Sequence, residues 1–429
     1  MAGPGDQINE KALARRVKDH VQGKGHDFFA VVQPGFEETA KRELRELGIT
    51  ELKSGANGGI EFHGKLDDAF RVNLGAGTVS RLLLRLLNFK ASGFAEFTQK
   101  IAALPWELHL PNRARIKFVI SSGRSRLWHK GRLQEDARKA VSARLGTFGR
   151  QAVFIEKAES GAAAAAQLIF LRLDENRCQV SLDSSGELLY RRGYGKFVEQ
   201  APLRETLACG ILRAAAIDRY QVLVDPFCGS GTFSLEAGLI FSGHPCNSGR
   251  AFAFQEWPAF RPAHYQHLKE QLEAEMKSRA PAGSKRILCS DISEKAVATT
   301  RHNLELTGLD SLAEVGQADF FRKPPPAADP ADVLLVMNPP YGTRLGRKTD
   351  IVNMYRRIGD KIRRDYSGCG YAIIVPGLEL EKTLSLPHEQ KILFRNGGIA
   401  VALLIHHPSR DSKEVQGAIF AVEEHGDRH

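Results

Sequence analysis

The chain has 429 residues, 42% of them hydrophobic, a length that one core rarely serves and that implies two or three packed domains. No run of about 18 apolar residues occurs and Met1 to Asp27 is polar and charged, so neither a membrane-spanning helix nor a secretory signal is expected, and the chain is expected in the cytoplasm. Its formal charge of +10 is concentrated: eleven Lys or Arg stand against Glu135 and Asp136 between Pro111 and Arg150, and eight against two acids between Arg344 and Arg364. Such surpluses suit a polyanion, because each cation that neutralises a phosphate releases a counterion, although a solvated surface is the ordinary role of a charge run. The six cysteines are scattered with no C-x-x-C pair and no histidine at zinc-ligand spacing, so neither a disulfide framework nor a metal is expected.

In chain order, residues 1–27 read as a flexible tail. Phe28 to Val32 is an apolar strand, Pro34-Gly35 a turn, and Phe36, Ala40, Leu44 and Leu47 share one face of a helix that Gly48 closes. Gly59 to Phe62 and a helical stretch from Asp67 to Leu74 complete a small α+β unit over residues 28–90. The first basic segment falls in a second unit, over 91–185. There Ile116, Phe118 and Ile120 alternate with Lys117 and Val119 in a strand. A Ser-Ser-Gly turn leads on to Arg124, Arg126, Trp128, His129, Lys130 and Arg132, and a helix then carries Arg138, Lys139 and Arg144. Leu168 to Leu173 and Cys178 to Leu182 form a meander joined at Asp174-Glu175-Asn176. Further on, Val222 to Val224, Ile287 to Cys289, Val333 to Met337 and Tyr371 to Val375 are short apolar runs, each followed by a helix-like segment, the pattern of a mostly parallel sheet covered on both faces. Lys391 to Phe394 and Ile399 to Ile405 flank Asn396-Gly397-Gly398, so the sheet should finish in an antiparallel hairpin.

Asp225-Pro226-Phe227-Cys228-Gly229-Ser230-Gly231-Thr232 joins the first of these strands to its helix, where ligands of open α/β sheets bind and glycines let the backbone approach them. The loop lacks the Lys-Ser/Thr of a P-loop and puts Asp225 where a pyrophosphate would sit, so it suits a cation. S-adenosylmethionine (SAM), with an ammonium, a sulfonium and no phosphate, matches, and Phe227, Gly229, Ser230, Gly231 and Thr232 are candidate contacts beside Asp225. Asp291, followed by Ile292, ends the next strand and suits both ribose hydroxyls; Asp319 suits an adenine amino group on which Phe320 stacks. Any one of these acids also serves as a helix cap or turn residue, but three in register at successive strand ends point to a ligand. Asn338-Pro339-Pro340-Tyr341 follows the strongest apolar run, and its prolines stop strand pairing and hold an amide and a ring at the mouth of the sheet. A base amino group is a poor nucleophile because its lone pair is conjugated. Hydrogen bonds to the Asn338 side-chain oxygen and the Pro339 carbonyl would draw it toward tetrahedral geometry, with Tyr341 stacked on a flipped or unpaired base. In the next helix Ile351, Met354, Tyr355, Ile358 and Ile362 share a face, and Arg356, Arg357, Lys361, Arg363 and Arg364 are expected around the others as a second basic surface.

On these motifs the chain resembles the THUMP-containing class I SAM-dependent RNA methyltransferases, in particular the RlmL-type guanine-N2 methyltransferases of bacterial large-subunit ribosomal RNA. The residues that carry it are Arg191-Arg192-Gly193-Tyr194, Ala201-Pro202-Leu203-Arg204-Glu205-Thr206, the Asp225 to Thr232 loop, Ser290-Asp291-Ile292, and Asn338 to Gly346. Phe28 to Glu37 looks like the entry of the family's ferredoxin-like domain. The resemblance implies an α/β, Rossmann-like methyltransferase domain over 186–429, preceded by a ferredoxin-like domain over 28–90 and a THUMP RNA-binding module over 91–185. It implies SAM as cofactor, RNA as partner and guanine N2 of 23S ribosomal RNA as target, and it sets Pro202 and Leu203 beside the methionine end of SAM. Lys117, Arg124, Arg126, Lys130, Arg132 and Arg344 are the RNA-binding candidates. Some relatives carry a second methyltransferase domain; this chain ends at His429, so a second activity is not expected. Three other readings stay open: a tRNA guanine-N2 methyltransferase, a nucleic-acid adenine-N6 methyltransferase with the same Asn-Pro-Pro-Tyr chemistry, and an RNA-binding assembly factor with a vestigial fold.

Overall fold

The computed structural model describes residues 10–55, 58–156, 166–197, 203–340 and 348–408. The chain divides into two units, one of residues 1–196, 203–210 and 242–280 and one of residues 197–202, 211–241 and 281–429.

The first unit starts with α1 (Glu10–Val17), whose Leu13 and Val17, with Val21 one turn on, form an apolar stripe buried in the core. Residues from Glu10 onward are thus a docked helix where a flexible tail was expected. The unit continues through β1 (His26–Val32), α2 (Glu37–Glu46), β2 (Leu52–Gly55), β3 (Gly59–Gly64), α3 (Leu66–Gly75) and β4 (Val79–Lys90). Then come α4 (Phe94–Ala103), α5 (Trp106–His109), β5 (Ala114–Gly123), α6 (Lys130–Gly146), β6 (Ala152–Phe154), β7 (Gln167–Asp174) and β8 (Arg177–Asp183). The strands form one sheet in the order β2-β3-β1-β4-β8-β7-β5-β6. The long β4 pairs with β1 through its first part and with β8 through its last, which fuses the two halves expected from the sequence into one sheet.

After α7 (Glu205–Ala214), β9 (Val222–Asp225) and α8 (Thr232–Ser242) the chain returns to the first unit for Ser242 to Ala280, which includes α9 (Pro262–Ser278). A boundary at residue 186 assigns this stretch to the methyltransferase domain by sequence; in space its apolar side chains belong to the first core. Phe254 stacks on Phe70 with ring centroids 4.4 Å apart, Leu268 and Leu272 are buried in the same cluster, and Asn247 donates to the Asn73 carbonyl at 2.9 Å. Arg192 of the Arg-Arg-Gly-Tyr motif is 2% exposed and donates to Gly77 O at 2.8 Å and to Asn247 Oδ1 at 3.1 Å, so it ties this excursion into the first unit.

The second unit continues with β10 (Arg286–Asp291), α10 (Glu294–Thr307), β11 (Ala313–Gln317), β12 (Val333–Met337), α11 (Lys348–Asp365), β13 (Gly370–Val375), α12 (Leu378–Leu384), β14 (Gln390–Asn396) and β15 (Ile399–His406). Its sheet runs β11-β10-β9-β12-β13-β15-β14, parallel as far as β13, with β15 and β14 antiparallel. β9, β12 and β13 are buried along their whole length, which is why they read as unbroken apolar runs. Among the described residues no helix is long and apolar enough to cross a membrane.

Candidate active site

β9 lies between β10 and β12 and delivers Asp225 to the carboxyl edge of the sheet inside the protein, 1% exposed. Ser234 on α8 donates to Asp225 Oδ2 at 3.0 Å, while Oδ1 is buried with no hydrogen-bond partner among the described residues. Burial pushes this carboxyl up to about 7, and the negative charge of Asp291 adds to the rise. An acceptor left in this state is costly until a cation or donor reaches it.

The loop after Asp225 turns through Gly229 (φ +53°) and Gly231 (φ +78°), and the two glycines differ in what surrounds them. A Cβ at Gly231 would stand 2.9 Å from Thr300 Cγ2 on α10, whereas a Cβ at Gly229 would meet nothing within 4 Å among the described residues. Gly231 therefore lets the loop close on the helix, and Gly229 keeps a space open. Gly231→Ala is expected to lower stability by about 1–3 kcal/mol in denaturant titrations. Gly229→Ala should cost about 1 kcal/mol through its backbone alone, yet raise the Kd for SAM at least ten-fold, about 1.4 kcal/mol, by filling the space. Unchanged SAM affinity in Gly229→Ala, measured calorimetrically, would contradict this use of the space.

The support on α10 escaped sequence reasoning. Thr300 donates to Gly229 O at 2.8 Å, and Asn303 donates to Ser230 O at 2.9 Å and to Phe197 O at 3.0 Å while accepting from Phe197 N–H at 2.8 Å. Both are fully buried beside Val297 and Leu304. Two polar residues three apart within an apolar stripe were the signal, since a buried polar group calls for a partner across the interface.

Asp291, at the end of β10, accepts from Gly229 N–H at Oδ2 and from Ser293 N–H at Oδ1, both at 3.0 Å. Ile292 beside it is 71% exposed and, with Gln317, Asp319 and Lys323 among others, lines an open cleft of about 530 Å³. Asp319 accepts from Phe321 N–H at 3.0 Å, a turn-capping bond, and keeps a place on the cleft wall. Phe320 corrects an expectation: it is 3% exposed and packs among Phe227, Phe321 and Tyr366, so its ring is core, and Ile292 is the apolar side chain presented to the cleft. Thr232 is buried at the start of α8, and Phe227 and Ser230 are half-buried.

β12 ends at Met337, and Asn338 follows with Pro339 buried behind it. Asn338 Oδ1 is a second buried acceptor with no partner among the described residues. Because the strand order is β11-β10-β9-β12, Asp319, Asp291, Asp225 and Asn338 follow one another along the carboxyl edge in steps of about 4.8 Å per strand. Leu203 is 6% exposed and falls in the first unit. Pro202, Tyr341 and Arg344 lie outside the described residues.

The basic surfaces are more neutralised than the sequence suggests, because acids from other segments add to the local ones. Arg124 pairs with Asp174 at 2.9 Å and Glu175 at 3.0 Å, Arg144 with buried Glu107 at 2.8 Å, Lys139 with Glu135 at 2.7 Å, and Arg138 with Glu156. Arg132 lies 3.9 Å above the Phe94 ring and 3.7 Å from Asp136, and the Glu156 carboxyl is held below its ordinary pKa first by the Arg138 hydrogen bond, with half-buried Lys117 adding a smaller effect. In the second surplus Lys361 is 4% exposed, donating to Lys323 O at 2.8 Å and pairing with Asp365, where an exposed cation was expected. Arg357 packs 3.8 Å over Phe321, Arg363 pairs with Asp360, and Arg364 with Asp365. Arg126 and Lys130 remain exposed and outside any ion pair among the described residues.

A mostly parallel seven-stranded sheet closed by an antiparallel hairpin, with a glycine turn after β9, is the fold of a class I SAM-dependent methyltransferase. Residues 192–403 match the family model described as UPF0020: RMKL-like, methyltransferase domain, and residues 27–83 match the RlmL ferredoxin-like domain; the chain belongs to this RlmK/L-like methyltransferase family. It is 31% identical over 388 residues to ribosomal RNA large subunit methyltransferase K/L of Syntrophotalea carbinolica, which covers 88% of this chain and 53% of that protein. A putative RNA methyltransferase of Synechocystis sp. is 28% identical over 380 residues, 88% of this chain and 95% of its own. The chain spans about half the length of the curated K/L relatives it matches. Among solved structures, a putative methyltransferase complexed with SAH is 25% identical, with a TM-score of 0.78 over 90% of this chain and 99% of that one. A predicted N6-adenine-specific DNA methylase from Listeria monocytogenes, 24% identical, shares the fold at a TM-score of 0.77 over 90% of this chain and 97% of its own. SAM is the methyl donor of this family.

Proposed function

We propose that this chain transfers the methyl group of SAM to the exocyclic N2 amine of guanine in structured RNA, with large-subunit ribosomal RNA as the substrate. The observation that carries the reading is Asn338 Oδ1, a buried acceptor without a donor among the described residues, at the end of the strand beside the one that ends in Asp225. An exocyclic amine brings two N–H donors. Asn338 Oδ1 and the Pro339 carbonyl accept them, which turns the nitrogen lone pair out of conjugation and toward the methyl carbon. SAM supplies that carbon on a sulfonium and leaves as the neutral thioether. The new N–C bond forms as the C–S bond breaks with its electron pair on sulfur, and the amine gives up its surplus proton to solvent. Asp225 Oδ1 receives the ammonium of the methionine end, Asp291 takes the ribose hydroxyls in addition to its main-chain bonds, and Ile292 with Asp319 takes adenine. Each of these assignments meets an observed feature: an unpartnered buried oxygen, an acid at the glycine turn, and an exposed apolar residue beside an acid in a cleft.

In this reading residues 91–185 act as a THUMP-type module that holds the RNA while one base leaves its stack. The names of the relatives support RNA as substrate class, and guanine N2 rests on the resemblance to the RlmL-type enzymes as a whole, since Asn-Pro-Pro-Tyr serves an adenine amine equally well. Charge reversal at Arg126 or Lys130 should each weaken RNA binding and lower the slope of log K against log salt by about one, whereas Arg124→Glu should do less because Asp174 and Glu175 already occupy Arg124. Equal effects at all three positions in salt titrations would contradict this sorting. Incubation with labelled SAM and either unmodified large-subunit ribosomal RNA or duplex DNA tests the function: label in the RNA is expected, and label confined to DNA, or in neither, would overturn it.

A further inference from the structure

The chain has three tryptophans, and two of them are core: Trp106 is fully buried and Trp257 is 4% exposed. Trp128 is 71% exposed in the segment between β5 and α6. That segment is firmly mounted. Leu127 is 2% exposed and its carbonyl accepts from Ser122 Oγ at 2.8 Å, Arg126 N–H donates to Asn176 Oδ1 at 2.8 Å, and His129 Nδ1 caps α6 by accepting from Arg132 N–H at 3.0 Å. The ring is thus presented to solvent from a backbone pinned on both sides.

Arg126 and Lys130, two residues to either side of Trp128, are exposed as it is, while Leu127 between them is buried. Neither enters an ion pair among the described residues, unlike Arg124, Arg132, Arg138, Lys139 and Arg144 of the same stretch. Their placement does not serve the helix, because the first turn of α6 carries Lys130 and Arg132 and no acid, opposite to what its dipole favours. An exposed large aromatic between two unpaired cations has the composition of a single-strand nucleic-acid platform, in which each base offers a face to stack on and each phosphate an anion.

We propose that Trp128 stacks on an unpaired base of the RNA substrate, with Arg126 and Lys130 on the flanking phosphates, so that this surface recognises a single-stranded stretch of that RNA. This rests on the RNA reading above and adds the form of RNA that is held. Because the other tryptophans are buried, the fluorescence of the full chain reports solvent-side contacts of Trp128. A single-stranded RNA of about ten nucleotides and mixed sequence is expected to quench it, and a duplex of the same length to leave it unquenched. Trp128→Phe should remove the quenching and keep most of the affinity. Trp128→Ala should weaken binding about ten-fold without changing its salt slope, whereas Arg126→Ala and Lys130→Ala should each lower that slope. Unchanged affinity in Trp128→Ala, equal quenching by the duplex, or shielding of Trp128 by added protein but not by RNA would overturn the proposal. If RNA is methylated in an Asn338-dependent way while Trp128→Ala binds normally, the stacking role alone fails; if no RNA is bound or methylated, the RNA reading itself fails.

Discussion

Asn338→Ala is expected to lower kcat for methyl transfer by about 10²–10³ while leaving the Kd for SAM nearly unchanged. The side-chain oxygen acts on the incoming amine and gains its donor only when the base is in place, so its loss falls on the chemical step. The effect on stability should have the opposite sign. Because Asn338 Oδ1 is a buried acceptor without a partner among the described residues, its removal should leave stability intact or raise it by up to about 1 kcal/mol. Asn338→Asp keeps an oxygen at the same place and should retain more activity than Asn338→Ala. Single-turnover rates with saturating SAM, alongside denaturant melts, check all three statements. A variant that loses activity together with SAM binding or folding would instead make Asn338 structural.

Asp225→Asn should raise the Kd for SAM by about 10²-fold, since the ammonium loses a charged partner in a water-poor site. The pH dependence sharpens this. Burial first, and the charge of Asp291 second, raise the Asp225 carboxyl to about 7, well above its ordinary value. The unfolded chain releases this proton near pH 4 and the folded chain only near 7, so between those values the unfolded state binds fewer protons. The stability linked to this group is therefore full at low pH and lost as pH rises toward 7. A cation reverses the preference, because it binds the carboxylate. SAM affinity should fall by up to ten-fold per pH unit below about 7 in the native chain and stay flat in Asp225→Asn. Calorimetric titrations between pH 5.5 and 8, about the span over which the group changes charge, decide it. Equal pH dependence in the two proteins would detach Asp225 from the ammonium.

The parts of the fold legible in the sequence are those where burial alone dictates composition. β9, β12 and β13 are covered on both faces, so Val222, Val333 and Tyr371 open runs that have few alternatives, and the acids and the amide at the strand ends follow from where those runs stop. What was hidden depends on partners far along the chain. The charge of Arg124 is met by Asp174 and Glu175, about fifty residues away, and Lys361 is drawn into the protein onto the Lys323 carbonyl beside its ion pair with Asp365, so a local surplus of cations overstated the free positive surface. Phe320 and Ile292 both follow strand-end acids, and composition cannot say which ring or alkyl chain the core will claim. The excursion from Ser242 to Ala280 has ordinary amphipathic patterning, and only Phe70, Asn73 and the rest of the first core reveal where its apolar face goes. Thr300 and Asn303 were legible in principle, as polar residues on a buried helical face, but their partners are carbonyls of a loop that sequence cannot position.

Fold, methyl donor and target amine together define the reaction, and the target amine is what one product determination identifies. Large-subunit ribosomal RNA lacking native modifications, incubated with the protein and methyl-labelled SAM and then digested to nucleosides, should yield the label as N2-methylguanosine, and Asn338→Ala should abolish it. Label recovered as N6-methyladenosine, or N2-methylguanosine formed equally well by Asn338→Ala, would contradict the account.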